Sequence, residues 1–131
     1  MPKIADILRN QHVLSVNADQ KVMEAVRLMT EFNIGAVPVL RDGALVGIFS
    51  ERDLMRRVVA QGRSPGMTEV GEVMTAKPRT VDVETDVEEC VTMMREAGFR
   101  HLPVVDAEQK LRGVISLRDI VMRGGNRGAN A

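Results

Sequence analysis

The sequence predicts a mixed α/β (α+β) protein built from two β-α-β-β-α repeats. Three observations carry that prediction. First, VMEAVRLMTEFNIGAVPVL at 22–40 aligns without gaps on VEECVTMMREAGFRHLPVV at 87–105. Second, LVGIFSERDL at 45–54 is spelled nearly the same way again as LRGVISLRDI at 111–120. Third, each copy has an apolar helical period followed by two short apolar stretches around a turn. Repetition on this scale settles the architecture before any single element does.

The elements follow in order. IADILR is a short helical segment, and VLSV (13–16) reads as a strand. Apolar residues at 22, 25, 26, 29 and 32 then recur with helical spacing, with Asp19 as the expected N-cap. AVPVL (36–40) and LVGIFS (45–50) flank Arg41-Asp42-Gly43-Ala44 as a hairpin, and LMRRVVAQ is the helix after it. QGRSPGMTE (61–69) has the Gly, Pro and Ser of a connection. In the second copy VGEVM is the short helical lead and RTVDV (79–83) the strand. Residues 87, 90, 91, 94 and 97 form the helical stripe, and Thr85 with Glu88 fits a capping box. HLPVV and LRGVIS make the second hairpin, and IVMR the last helix.

The repeats therefore occupy 1–61 and 70–123, joined by 62–69. The tail 124–131 has too little apolar content to dock and is expected to be disordered. A unit of about 60 residues buries a sheet and helices poorly by itself. The two are therefore expected to pack about a pseudo-twofold axis, with equivalent motifs on a central cleft.

Composition removes several function classes. Lys plus Arg and Asp plus Glu both number 18, so no net field draws in nucleic acid or an anionic membrane. Tyr and Trp are absent and Phe occurs three times, which leaves no platform for stacking bases. No apolar run approaches the roughly 20 residues that cross a bilayer, and MPKIADILRN lacks the apolar core of a signal peptide. A cytoplasmic protein is expected. Cys90 is the one cysteine and sits on the helical stripe as packing. Met23, Met29, Met93 and Met94 read as core filler rather than metal ligands, and Arg56-Arg57 as a solvated helix face.

Ser50 and Ser116 fall where a strand gives way to a helix, each followed by x-Arg-Asp. One reading is a pair of helix caps, since Ser at N-cap with an acid at N3 satisfies two orphan amides. The other is a nucleotide site. A serine at a helix start with free amides suits phosphate, Arg adds a charged fork, and a carboxylate one turn on can accept from ribose hydroxyls. A cap does not require the Arg that both copies keep.

These features together resemble a tandem of CBS domains, often called a Bateman module, over roughly residues 4 to 122. The matching residues are the AVPVL and HLPVV cores, the Gly-h-h-Ser-x-Arg-Asp-h segments, and VMTAKPRTV ahead of the second copy's first strand. The resemblance implies an adenosyl ligand (AMP first; ADP, ATP or NAD also; S-adenosylmethionine in some members) with no obligatory metal. It implies crossed clefts. One would combine Ser116, Arg118 and Asp119 with Val13, Leu14, Ile34, Gly35 and Ala36. The other would combine Ser50, Arg52 and Asp53 with Met74, Pro78, Arg79, Phe99, Arg100 and His101. Arg100 and His101 would bring positive charge to the second cleft, making it the better phosphate binder, although a backbone-bonded His101 and a solvated Arg100 are the plain alternatives. Arg52 and Arg118 could equally pair with the acids beside them.

Catalysis finds little support. There is no Gly-x-Gly-x-x-Gly, P-loop, His-Glu-x-x-His or nucleophile elbow, and the chain has two histidines and one cysteine. The expected function is a regulatory sensor of adenine nucleotide that pairs into a homodimer and reports to an unidentified regulated protein. The alternative is a constitutive dimerisation or interaction scaffold with empty clefts. On the ligand reading, Asp53→Ala weakens binding with little change in fold.

Overall fold

The computed structural model describes residues 2–8 and 13–121; the tail expected at 124–131 lies outside them. The chain divides into two compact units, Leu14–Pro78 and Met1–Val13 with Arg79–Ala131. Elements run α1 (Ile4–Leu8), β1 (Val16–Asn17), α2 (Val22–Phe32), β2 (Ala36–Arg41), β3 (Ala44–Ser50) and α3 (Glu51–Asp53). After α3 come a π-helical segment (Leu54–Val59), α4 (Val70–Val73), β4 (Thr75–Ala76), β5 (Val81–Asp82), α5 (Val87–Ala97), β6 (His101–Val105), β7 (Leu111–Ser116) and α6 (Leu117–Ile120).

In the Leu14–Pro78 unit the sheet order is β1-β2-β3-β4. β1 lies parallel to β2, and β2, β3 and β4 are antiparallel neighbours. Asp42 and Gly43, at φ 53° and 82°, close the β2–β3 hairpin. Two consecutive positive φ values define the turn whose twist matches a hairpin, and Asp-Gly tolerates both. Helix α2 lays Val22, Ala25 and Met29 onto the sheet beside Val37, Val39 and Phe49. Phe32, expected on the same stripe, is 43% exposed because the helix ends one residue later at left-handed Asn33. The N-cap is Lys21, not Asp19: the Lys21 amide donates to Glu24 at 3.2 Å.

The other unit repeats this plan with the order β5-β6-β7. β5 is parallel to β6 and β6 antiparallel to β7. Val87, Cys90 and Met94 of α5 cover Leu102, Val104 and Ile115. Burial raises the Cys90 thiol to about 11, with Glu89 adding to it. Thr85 does not cap α5; its hydroxyl instead accepts the Asp82 amide at 3.1 Å, closing the turn after β5. Both strands ahead of the long helices are two residues long, shorter than VLSV and RTVDV suggest.

Each unit borrows the short helix that precedes the other repeat in sequence. α1 joins the Arg79–Ala131 unit: the Ile4 and Ala5 amides donate to Thr85 and Val83 carbonyls at 2.9 Å, and Val87 donates to Pro2 at 3.0 Å. Lys3 Nζ bonds Asp86 at 2.8 Å, which holds that carboxyl below the usual aspartate range. α4 does the same in the Leu14–Pro78 unit, with Val70 donating to Gln20, Gly71 to Ala18 and Val22 to Thr68, each at 2.8 Å. Ile4, Ile7 and Leu8 in one core and Val70 and Val73 in the other make these helices structural parts of the unit they join.

Candidate functional site

Both Ser-x-Arg-Asp segments form the same local structure. Ser50 and Ser116 have extended backbones at the end of a hairpin strand, and helix begins at the next residue. The Asp53 amide donates to Ser50 Oγ at 3.2 Å while the Ser50 amide donates to Asp53 Oδ2 at 3.0 Å. The Asp119 amide donates to Ser116 Oγ at 2.9 Å and the Ser116 amide to Asp119 Oδ2 at 3.1 Å. Each pair is a closed capping box. The cap reading of the sequence is therefore physically realised in both copies.

Around this common frame the two junctions differ. Asp53 is 5% exposed, whereas Asp119 is half-buried. Asp53 also takes the Thr75 hydroxyl, 3.1 Å from Oδ1 and 3.4 Å from Oδ2, and the Ser50 hydroxyl, 3.2 Å from Oδ2. Arg57 Nε stands 3.6 Å from Oδ1, and Arg57 Nη1 donates to the Met74 carbonyl at 2.8 Å. Arg57 is thus anchored at one end and half in water, rather than the solvated charge expected from sequence. The Ala60 amide reaches back five residues to Met55, the wider turn of a π-helix at the segment carrying Arg57.

The predicted site residues group by unit. Gly35 accepts the Glu51 amide at 3.0 Å and Ala36 pairs with Ser50 across the hairpin. Thr75 arrives beside Asp53 at the start of β4, directly after Met74 at the end of α4, and pairs with Ile48 while Ala76 pairs with Gly47. Gly47 makes this approach possible, because a Cβ there would meet the Met74 side chain and come within 2.8 Å of the Thr75 carbonyl. Ile34 and Met74 pack half-buried on the core, and Leu14 and Pro78 are half-buried at the ends of the unit.

In the other unit His101 pairs with Ser116, Arg100 accepts the Leu117 amide at 2.9 Å, and Phe99 packs against the core. Val13, Arg79, Arg100 and Arg118 are exposed, as is Arg52 in the first unit. Among the described residues, no side-chain hydrogen bond or ion pair joins Arg52 or Arg118 to the neighbouring aspartates. Thr75 and Arg57 are the functional candidates that sequence reasoning passed over. Thr75 sits inside VMTAKPRTV, between Met74 and Pro78, which were singled out; its hydroxyl was the available signal.

No cluster of three or more His, Cys, Asp or Glu suited to a metal occurs among the described residues. No helix among them is long and apolar enough to cross a membrane.

Fold and junctions define a class: a tandem of small α+β repeats, each closing its hairpin with a serine–aspartate box. The CBS domain family matches residues 4–60 and 70–124, and the chain belongs to that family. The Bacillus subtilis CBS domain-containing protein YhcV is 34% identical over 122 residues, spanning 93% of this chain and 85% of YhcV. The mitochondrial CBS domain-containing protein CBSX3 of Arabidopsis thaliana is 39% identical over 108 residues. That match spans 79% of this chain and about half (52%) of CBSX3. Among solved structures, CBSX2 in complex with AMP superposes with a TM-score of 0.79 at 27% identity, covering 98% of this chain and 99% of CBSX2.

Proposed function

We propose that this chain is a non-catalytic regulatory module that binds an adenosyl ligand at its Ser-x-Arg-Asp junctions, AMP before ADP, ATP or NAD. The observation that carries the reading is the junction itself, built twice with a carboxylate one turn from a serine and an exposed arginine between them. A fixed acceptor suits ribose hydroxyls, and a guanidinium free of the neighbouring acid suits phosphate. The AMP complex of CBSX2 supports the same ligand class. The exposed Arg100 carries a further positive charge suited to an anionic tail.

Occupancy acts by population shift: a ligand that favours one arrangement of the chain biases it, and a regulated partner protein reads the result. The exposed Met55 and Val59 on the segment after the first hairpin suit pairing with a second copy. The buried, lone Cys90 suits a reducing compartment such as the cytoplasm.

A thermal-shift panel of AMP, ADP, ATP, NAD and S-adenosylmethionine tests the ligand class. Ligand at about 100 times its dissociation constant stabilises a fold by roughly 2.7 kcal/mol. For a chain of this size that is a rise of roughly 10 °C in Tm. If no member shifts the transition at millimolar concentration, the scaffold reading takes over. One observation favours that second reading: the Asp53 carboxylate is already engaged by the protein's own donors.

A further inference from the structure

A carboxylate offers about four acceptor positions. At Asp53 the Ser50 amide, the Ser50 hydroxyl and the Thr75 hydroxyl bond the two oxygens, and the Arg57 guanidinium faces Oδ1. The group is 5% exposed, so almost none of it faces bulk solvent. Two of the four donors are hydroxyls, the same group that a vicinal diol presents. They are also the donors that can leave. The Ser50 amide is fixed by the start of α3, and Arg57 is held by the Met74 carbonyl. The Thr75 hydroxyl swings away by rotating one side-chain bond while β4 keeps its pairing to β3.

We infer that Thr75 sets affinity and sugar selectivity at the Asp53 junction: its hydroxyl occupies the acceptor position a ribose diol needs, and a diol binds there by displacing it. This rests on the adenosyl reading above and specifies how that ligand meets one of the two motifs. The junction is self-capped when empty. A ligand with both hydroxyls replaces the bond it breaks; one without them leaves Asp53 to Thr75.

The test uses the full chain carrying Asp119→Asn, so that one motif carboxylate remains, and calorimetric titration with AMP and with 2′,3′-dideoxy-AMP. Thr75→Val removes the competing hydroxyl at nearly constant volume and tightens AMP by about five-fold, the worth of one hydrogen bond. Thr75→Ala, with less bulk, tightens it in the same direction. Thr75→Ser keeps the hydroxyl and stays within about two-fold of its parent. The dideoxy compound gains nothing from either hydroxyl-free variant.

Unchanged or weaker AMP binding in Thr75→Val and Thr75→Ala overturns the inference, as does an equal gain for the dideoxy compound. Wild-type AMP binding combined with either result overturns the inference alone. Absence of AMP binding from the wild type, the Asp119→Asn parent and both hydroxyl-free variants overturns the adenosyl reading with it.

Discussion

Asp53→Ala separates a side chain that only waits for ligand from one that also holds the fold. The residue is 5% exposed and accepts the Ser50 amide at 3.0 Å and the Thr75 hydroxyl at 3.1 Å. Hydrogen bonds to a charged acceptor contribute about 1.5–3 kcal/mol, and part-buried donors left behind recover some of that from water. Arg57 adds little, since it is 52% exposed and stands 3.6 Å away. The expected loss is therefore roughly 3 kcal/mol. Ser50→Ala removes the cap oxygen together with the hydroxyl that donates to Asp53, leaves the Thr75 bond in place, and serves as the scale, at about 1–2 kcal/mol. With no Trp or Tyr in the chain, urea unfolding is followed by far-UV circular dichroism. A loss below about 1 kcal/mol, or one no larger than that of Ser50→Ala, refutes the claim that Asp53 fastens β4 to the helix start.

Three further outcomes follow from other parts of the molecule. Gly47→Ala pushes a methyl against Met74 and the Thr75 carbonyl, and should lower the urea midpoint by the equivalent of about 1–3 kcal/mol; an unchanged midpoint contradicts the close approach of β4. Asp86 is held below its ordinary 3.8 first by the Lys3 hydrogen bond and then by its charge. Its contribution is therefore present above that value and lost as pH falls through the lowered folded one, so Asp86→Asn should lower Tm at about pH 6 and converge with wild type at about pH 2. A gap that persists in acid contradicts the assignment. Cys90, buried and raised to about 11, should react with Ellman's reagent at about pH 8 no faster than the protein unfolds, whereas prompt reaction of the native protein contradicts its burial.

The features legible in the sequence were those written in local pattern. The Asp42-Gly43 turn announces its hairpin because few residues accept two left-handed positions, and the spacing of Val22, Ala25 and Met29 announces a buried helix face. Ser50 and Ser116 announced their boxes through an acid three residues on. Competing donors and acceptors decided the misses. Asp19 was a good cap by type, but Glu24 reaches the Lys21 amide, and Thr85 spends its oxygen on Asp82.

Contacts distant in sequence left no trace in periodicity. α1 packs beside Thr85 and Val83, α4 beside Gln20 and Ala18, and Thr75 reaches Asp53 across 22 residues. Burial made the difference at the site: a serine–aspartate spacing predicts a box, but not which carboxylate is saturated.

The measurement that bears most directly on the account is calorimetric titration of the full, unmodified chain with AMP. The account predicts saturable binding that disappears when Asp53 and Asp119 are both changed to Asn in a protein that still folds. Heat that fails to saturate up to millimolar AMP, or binding untouched by that double change, contradicts it.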